Sequence, residues 1–79
     1  MISIHELLNK IKWDKNLTPE EYKLYYLDRI TNSLKEIKFA QIKEFSVFSL
    51  IVEKNNNDID IPLPRIREIR KDEKIIWKR

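Results

Sequence analysis

No glycine occurs among the 79 residues, where average usage near 7% would place about five or six. That absence excludes every phosphate cradle built on glycine: a P-loop, a dinucleotide fingerprint, a GXXG clamp. It also moves turn positions with positive φ onto asparagine or aspartate. Cysteine is absent too, which removes disulfides, a zinc ribbon and a thiol nucleophile, and fits a cytoplasmic location. Histidine occurs once, as His5, so the two-histidine acid–base chemistry common on RNA phosphoesters has no pair to draw on. No apolar run approaches the roughly 18 residues of a membrane span, and charges stand where a signal peptide needs an apolar core. The expectation is a soluble chain with no cofactor, no bound metal and no membrane partner. Its oligomeric state is left open.

Charge is what the chain has in quantity. Lys and Arg number 16 against 13 Asp and Glu, a net of +3. The distribution says more than the total. Residues 65–79 hold seven Lys/Arg against three Asp/Glu, net +4, and the other 64 hold nine against ten, net −1. One end is basic and the rest is balanced. The length allows a single domain, residues 1–79, which buries only about 60–65% of its unfolded surface.

The N-terminal stretch opens on Ser3-Ile-His-Glu6, a capping box. Ile4, Leu7, Leu8 and Ile11 then share one helical face, predicting a helix over about residues 4–12 with His5 on its polar side. Thr18-Pro19 with Glu21 reads as a second capping box opening a short helical turn. Residues 22–37 admit two readings. Tyr22, Tyr26, Ile30, Leu34 and Ile37 recur near every fourth position, as in one helix. The aromatics of Tyr22–Arg29 favour a strand instead, and Thr31-Asn32-Ser33 is a turn cluster.

Beyond that point strands dominate the pattern. Leu34–Phe39 alternates, and Phe45–Val52 is rich in β-branched and aromatic residues without a breaker. Asn55-Asn56-Asn57-Asp58 reads as a glycine-free hairpin tip, with Ile59-Asp60-Ile61 as the return strand. Pro62 and Pro64 forbid continued pairing inside a sheet. Arg65–Arg70 does not alternate cleanly, and Ile66 and Ile69, three apart, suit a 3₁₀ or bent segment. Lys71–Lys74 is a polar turn, and Ile75-Ile76-Trp77 the last strand.

Taken in order, Leu7-Leu8 with Ile11 and Trp13-Asp14, then Tyr26-Leu-Asp-Arg29, then Ile61-Pro62 with Arg65-Ile66 and Ile69, then Ile76-Trp77 and Arg79, resemble a small, mostly archaeal family. Long catalogued as uncharacterised, it has since been named the RNA cyclic-group-end recognition domain. The resemblance runs over nearly the whole chain. It implies an N-terminal helix followed mostly by strands, and so a strand at Tyr22–Arg29. It also implies recognition of RNA ends bearing a 2′,3′-cyclic phosphate, in RNA repair or processing. Two positions depart from the pattern. Relatives commonly place a histidine where Pro64 stands, before the Arg-Ile pair, and a glycine at the Asp72-Glu73 turn.

The expected fold is α+β: one N-terminal helix on an antiparallel sheet or small, partly open barrel of about five strands. The expected function is a non-enzymatic RNA-binding module. Alternatives are a protein-interaction module, an accessory subunit of an RNA-processing enzyme, or an RNA-end phosphoesterase. Arg29, Arg65 and Arg67 are the candidate phosphate ligands, because a guanidinium fork matches two phosphate oxygens. Arg29 and Arg65 lie inside the family-matching words; Arg67 and Arg70 also read as general basic surface. Tyr26 and Trp77 are the candidate base-stacking residues, with core packing the favoured structural alternative for both, since large aromatics supply much of the buried area in a small domain. Trp13 and Asp28 are supporting residues, with core packing and turn capping as their structural alternatives. Tyr25 has the opposite strand parity to Tyr26, so at most one of them faces the core. Lys71, Lys78 and Arg79 add background attraction for a polyanion.

Overall fold

The computed structural model describes residues 3–78. Helix α1, Ile4–Trp13, begins where the Ser3 hydroxyl accepts a hydrogen bond from the Glu6 N–H at 3.2 Å. Its apolar face, Ile4, Leu7, Leu8 and Ile11, is buried. A 3₁₀ turn at Pro19–Glu21 follows, without the expected side-chain cap from Thr18. There the Glu21 N–H is satisfied by the Thr18 carbonyl at 3.0 Å, so the hydroxyl is not needed.

Seven strands come next: β1 Tyr22–Asp28, β2 Ser33–Lys38, β3 Ile42–Phe45, β4 Ser49–Lys54, β5 Asn57–Pro62, β6 Ile66–Lys71 and β7 Lys74–Lys78. They form two antiparallel sheets among the described residues, one ordered β2-β1-β6-β7 and the other β3-β4-β5. The α+β class stands, but neither sheet closes into a barrel and the strands outnumber the expected five. Two departures explain the difference. The segment Phe45–Val52 is not one strand. Ser46 Oγ accepts from the N–H groups of Phe48 and Ser49, at 3.1 and 3.3 Å, and folds the chain back between β3 and β4. A serine hydroxyl offers the backbone a local alternative to the ladder. The segment Arg65–Arg70 is mostly strand, with its irregularity confined to a 3₁₀ turn at Leu63–Arg65 and a bulge at Arg67.

One hydrophobic cluster unites helix and sheets. Leu8 and Ile11 of α1 join Leu24, Ile66 and Ile69 of the four-stranded sheet and Leu50 and Val52 of the three-stranded sheet. The edge of the His5 ring meets Phe45 with centroids 5.8 Å apart, tying α1 to β3. His5 is half-buried, with Phe45 beside it.

The hairpin turns need positive φ, and most fall to the residue types anticipated. Asn32, Asn55, Asn56 and Asp72 lie between 48° and 64°. Glu73, at 75°, is the exception. A left-handed conformation costs an ordinary L-residue about 1–2 kcal/mol. Glu73→Gly is thus expected to raise stability by about 1 kcal/mol, or about 4–8 °C in thermal midpoint for a domain of this size. An unchanged or lower midpoint in a circular-dichroism melt would show that this turn carries no relievable strain.

Candidate nucleic-acid interface

The two prolines act as the sequence suggests. Pro62 ends β5, and the chain turns through Leu63–Arg65 before entering β6. The Leu63 N–H donates to the Phe48 carbonyl at 2.9 Å, anchoring this bend to the segment before β4. β1 and β6 run antiparallel with Tyr26 opposite Ile66. The C-terminal end of β1 therefore lies beside the turn that enters β6. That shared end of the central strand pair carries Arg29, just past β1, and Arg65, which closes the 3₁₀ turn. Arg67 follows as the extra residue of the bulge, since Tyr25 pairs with Glu68 and Tyr26 with Ile66. Bulges re-aim side chains.

Arg29 is exposed, and Arg65 and Arg67 are half-buried. Among the described residues no side-chain hydrogen bond or ion pair engages any of the three. Among the described residues Asp28 holds no arginine: its carboxylate accepts the Ile30 N–H at 2.9 Å and shapes the turn that carries Arg29. Asp14 plays the same local part after α1, accepting the Asn16 N–H at 2.8 Å.

The aromatic residues divide between core and surface. Trp77 is only 8% exposed and belongs to the core. Its strand pairs with β6, placing it opposite fully buried Ile69. Tyr26 is half-buried and packs against the same core, and that burial, followed by the nearby Asp28 charge, raises its hydroxyl pKa. Neither ring offers an open face comparable to two others. Trp13, 71% exposed, projects from the end of α1 with the Lys12 ammonium 5.1 Å from its ring centroid. Phe48 is 79% exposed beside the bend that leads to Arg65. Phe48 was hidden from the sequence reading inside the supposed strand Phe45–Val52; the flanking Ser46 and Ser49 were the signal.

A second group lies on the outer face of the four-stranded sheet. The Tyr25 hydroxyl donates to Glu36 Oε1 at 2.8 Å, and Lys23 Nζ stands 3.5 Å from the same oxygen. That hydrogen bond raises the Tyr25 pKa and lowers that of Glu36. The Arg70 guanidinium lies 4.5 Å from the Tyr25 ring centroid. It donates through Nε and Nη2 to Glu68 Oε1, at 3.0 and 2.8 Å. This bonding raises the Arg70 pKa still further. The strand parity of Tyr25 was legible in the sequence, whereas its pairing with Arg70 depends on the β1–β6 register. Lys71 is drawn to Glu21 at 3.9 Å, Lys78 is exposed on β7, and Arg79 lies outside the described residues. No helix among them is long and apolar enough to cross a membrane.

Comparison with known proteins bears on these features directly. Residues 1–79 match the MJ1316 RNA cyclic group end recognition domain. The chain belongs to that family. A UPF0248 protein of Saccharolobus islandicus is 32% identical over 81 residues, an alignment covering 99% of this chain and 100% of the relative. No solved structure matches. Among the described residues of this RNA cyclic group end recognition domain, both the end of the β1–β6 pair and the outer face of the four-stranded sheet carry arginine side chains.

Proposed function

We propose that this chain is a binding module for RNA ends carrying a 2′,3′-cyclic phosphate, in the setting of RNA repair or processing. The observation that carries the reading is the placement of Arg29, Arg65 and Arg67 at one end of the central strand pair, with no partner among the described residues. A cyclic phosphate bears one negative charge, which one or two guanidinium forks can meet with directed hydrogen bonds. Phe48, exposed beside the same bend, supplies a face for the terminal base. It takes the stacking part that sequence reasoning had given to Tyr26 and Trp77, whose rings are packed on the core.

The side chains at this end of the sheet support a reading of binding over turnover. Pro64 stands where the resemblance implies a histidine, and the one histidine, His5, packs against Phe45. The test compares matched oligonucleotides ending in cyclic phosphate, 3′-phosphate and hydroxyl, at two salt concentrations, by fluorescence anisotropy. The cyclic end is expected to bind at least about tenfold tighter than the hydroxyl, the size of one charge-assisted hydrogen bond. Equal, steeply salt-dependent binding of all three would reduce the chain to a generic polyanion binder. Absence of binding would favour a protein-interaction module, and opening of the cyclic end would make the chain an enzyme.

A further inference from the structure

We infer that the outer face of the four-stranded sheet is a second RNA subsite, which takes the single-stranded body of the RNA upstream of its end. The inference extends the RNA reading above from the terminus to the strand behind it. The pairing registers define the face row by row. Lys38, Lys23 and Arg70 stand directly opposite one another on β2, β1 and β6. The next row is Glu36, Tyr25, Glu68 and Lys78. Leu34 and Leu27 form a third row, leading toward Arg29.

The first row is costly in the free protein. Like charges directly opposite in a sheet repel, and three cations span strands only about 4.8 Å apart. Glu36 and Glu68 offset part of this. They also hold the cations in place: Glu36 draws Lys23 and the Tyr25 hydroxyl, and Glu68 draws Arg70. A polyanion laid across the row relieves the remaining repulsion.

Arg70 adds a directional element. Its guanidinium carbon stands over the Tyr25 ring, 4.5 Å from the centroid, and two donors are committed to Glu68. Held on both sides by these contacts, its side chain keeps about a third of its surface open, at 32%. Unpaired RNA bases stack on arginine planes as well as on aromatic rings. A base laid on Arg70 completes a stack of base, guanidinium and Tyr25, with little side-chain entropy left to lose.

Charge separates this face from the other sheet. The outer rows of the three-stranded sheet pair Glu53 with Asp58 and set Glu44 and Asp60 on either side of Ile51. Lys43 bonds Asp58 there, at 3.2 Å. RNA is repelled from that side and accepted on this one. Tyr25 and Arg29 are about 14 Å apart along β1 at ~3.4 Å per residue. An RNA strand held at its end by the arginines therefore has this face within a few nucleotides' reach.

The experiment uses a single-stranded uridine octamer ending in hydroxyl, so that the cyclic group plays no part. Binding is measured by anisotropy across a salt series. The double variant Lys23→Gln/Lys38→Gln is expected to weaken binding about tenfold and to reduce the salt slope by about 1.4, the share of two phosphate contacts on a single strand. Arg70→Lys keeps the charge and the Glu68 pair but loses the plane. It is expected to keep the salt slope and still lose about tenfold, the scale of one base stack. Unchanged octamer binding in the double variant, or in Arg70→Lys, would overturn the subsite. So would competition by polyglutamate as effective as by the octamer, which would make the face an acidic-peptide surface. The preference for cyclic over hydroxyl dinucleotides reads the arginine end independently. Loss of that preference in wild type, with the octamer effects intact, would remove the end reading and leave this one standing.

Discussion

Ile69→Ala is expected to cost about 2–5 kcal/mol, the range for truncating a large aliphatic side chain in a closed core. The position justifies the size of the effect. Ile69 is 0% exposed and stands in β6 opposite both Leu24 of β1 and Trp77 of β7. Its side chain thus packs where three strands of one sheet meet the shared core. A domain of this length has about 4–12 kcal/mol of stability in total, so the variant forfeits a large fraction of it. The thermal midpoint should fall by about 10–30 °C. Ile30→Ala is the control, because Ile30 is 95% exposed in the β1–β2 turn and its loss should stay within about 0.5 kcal/mol. Similar melts for the two variants would mean that the core is not organised around β6 as described.

The same residues show what the sequence could and could not reveal. Ile4, Leu7, Leu8 and Ile11 announced α1 because a 3.6-residue period leaves a visible stripe. The Asn55-Asn56 turn was legible because asparagine tolerates the left-handed region both residues occupy. Pro62 and Pro64 placed the bend before Arg65, since proline cannot donate to a ladder. The β3–β4 break was not legible. Phe45–Val52 has strand composition throughout, and only the Ser46 hydroxyl diverts the chain. The site divides along the same line. Arg65 and Arg29 were marked by short local words, but their shared end of the sheet depends on which strands pair. Strand order β2-β1-β6-β7 joins segments far apart in sequence, and no local periodicity encodes it. The contact of Arg70 with the Tyr25 ring has the same origin. Trp77 and Trp13 show how little residue type alone decides: one tryptophan is core and the other exposed, according to the faces their elements present.

Arg65→Ala is expected to lower affinity for a cyclic-phosphate end by about tenfold to hundredfold, since hydrogen bonds to charged groups are worth about 1.5–3 kcal/mol. Its effect should be selective. Arg65 closes the 3₁₀ turn that enters β6, at the end of the sheet that also carries Arg29. Among the described residues it has no carboxylate to release, so its removal leaves no stranded charge. The melt should therefore match wild type within about 0.5 kcal/mol. Two comparisons separate the roles an arginine can play here. Arg65→Lys retains the charge but not the planar fork. It should recover binding of a hydroxyl-ended strand, where only Coulomb attraction acts, and recover less for the cyclic end, where two oxygens are held in fixed directions. If lysine restored both equally, Arg65 would supply charge and no recognition. If alanine weakened cyclic and hydroxyl ends by the same factor, the discriminating group would lie elsewhere, with Arg29 the next to test. A midpoint lowered by many degrees would give Arg65 a structural part in the bend. Affinity, end preference and stability thus respond differently to one side chain, and their pattern decides whether this corner of the sheet reads the chemistry of an RNA end.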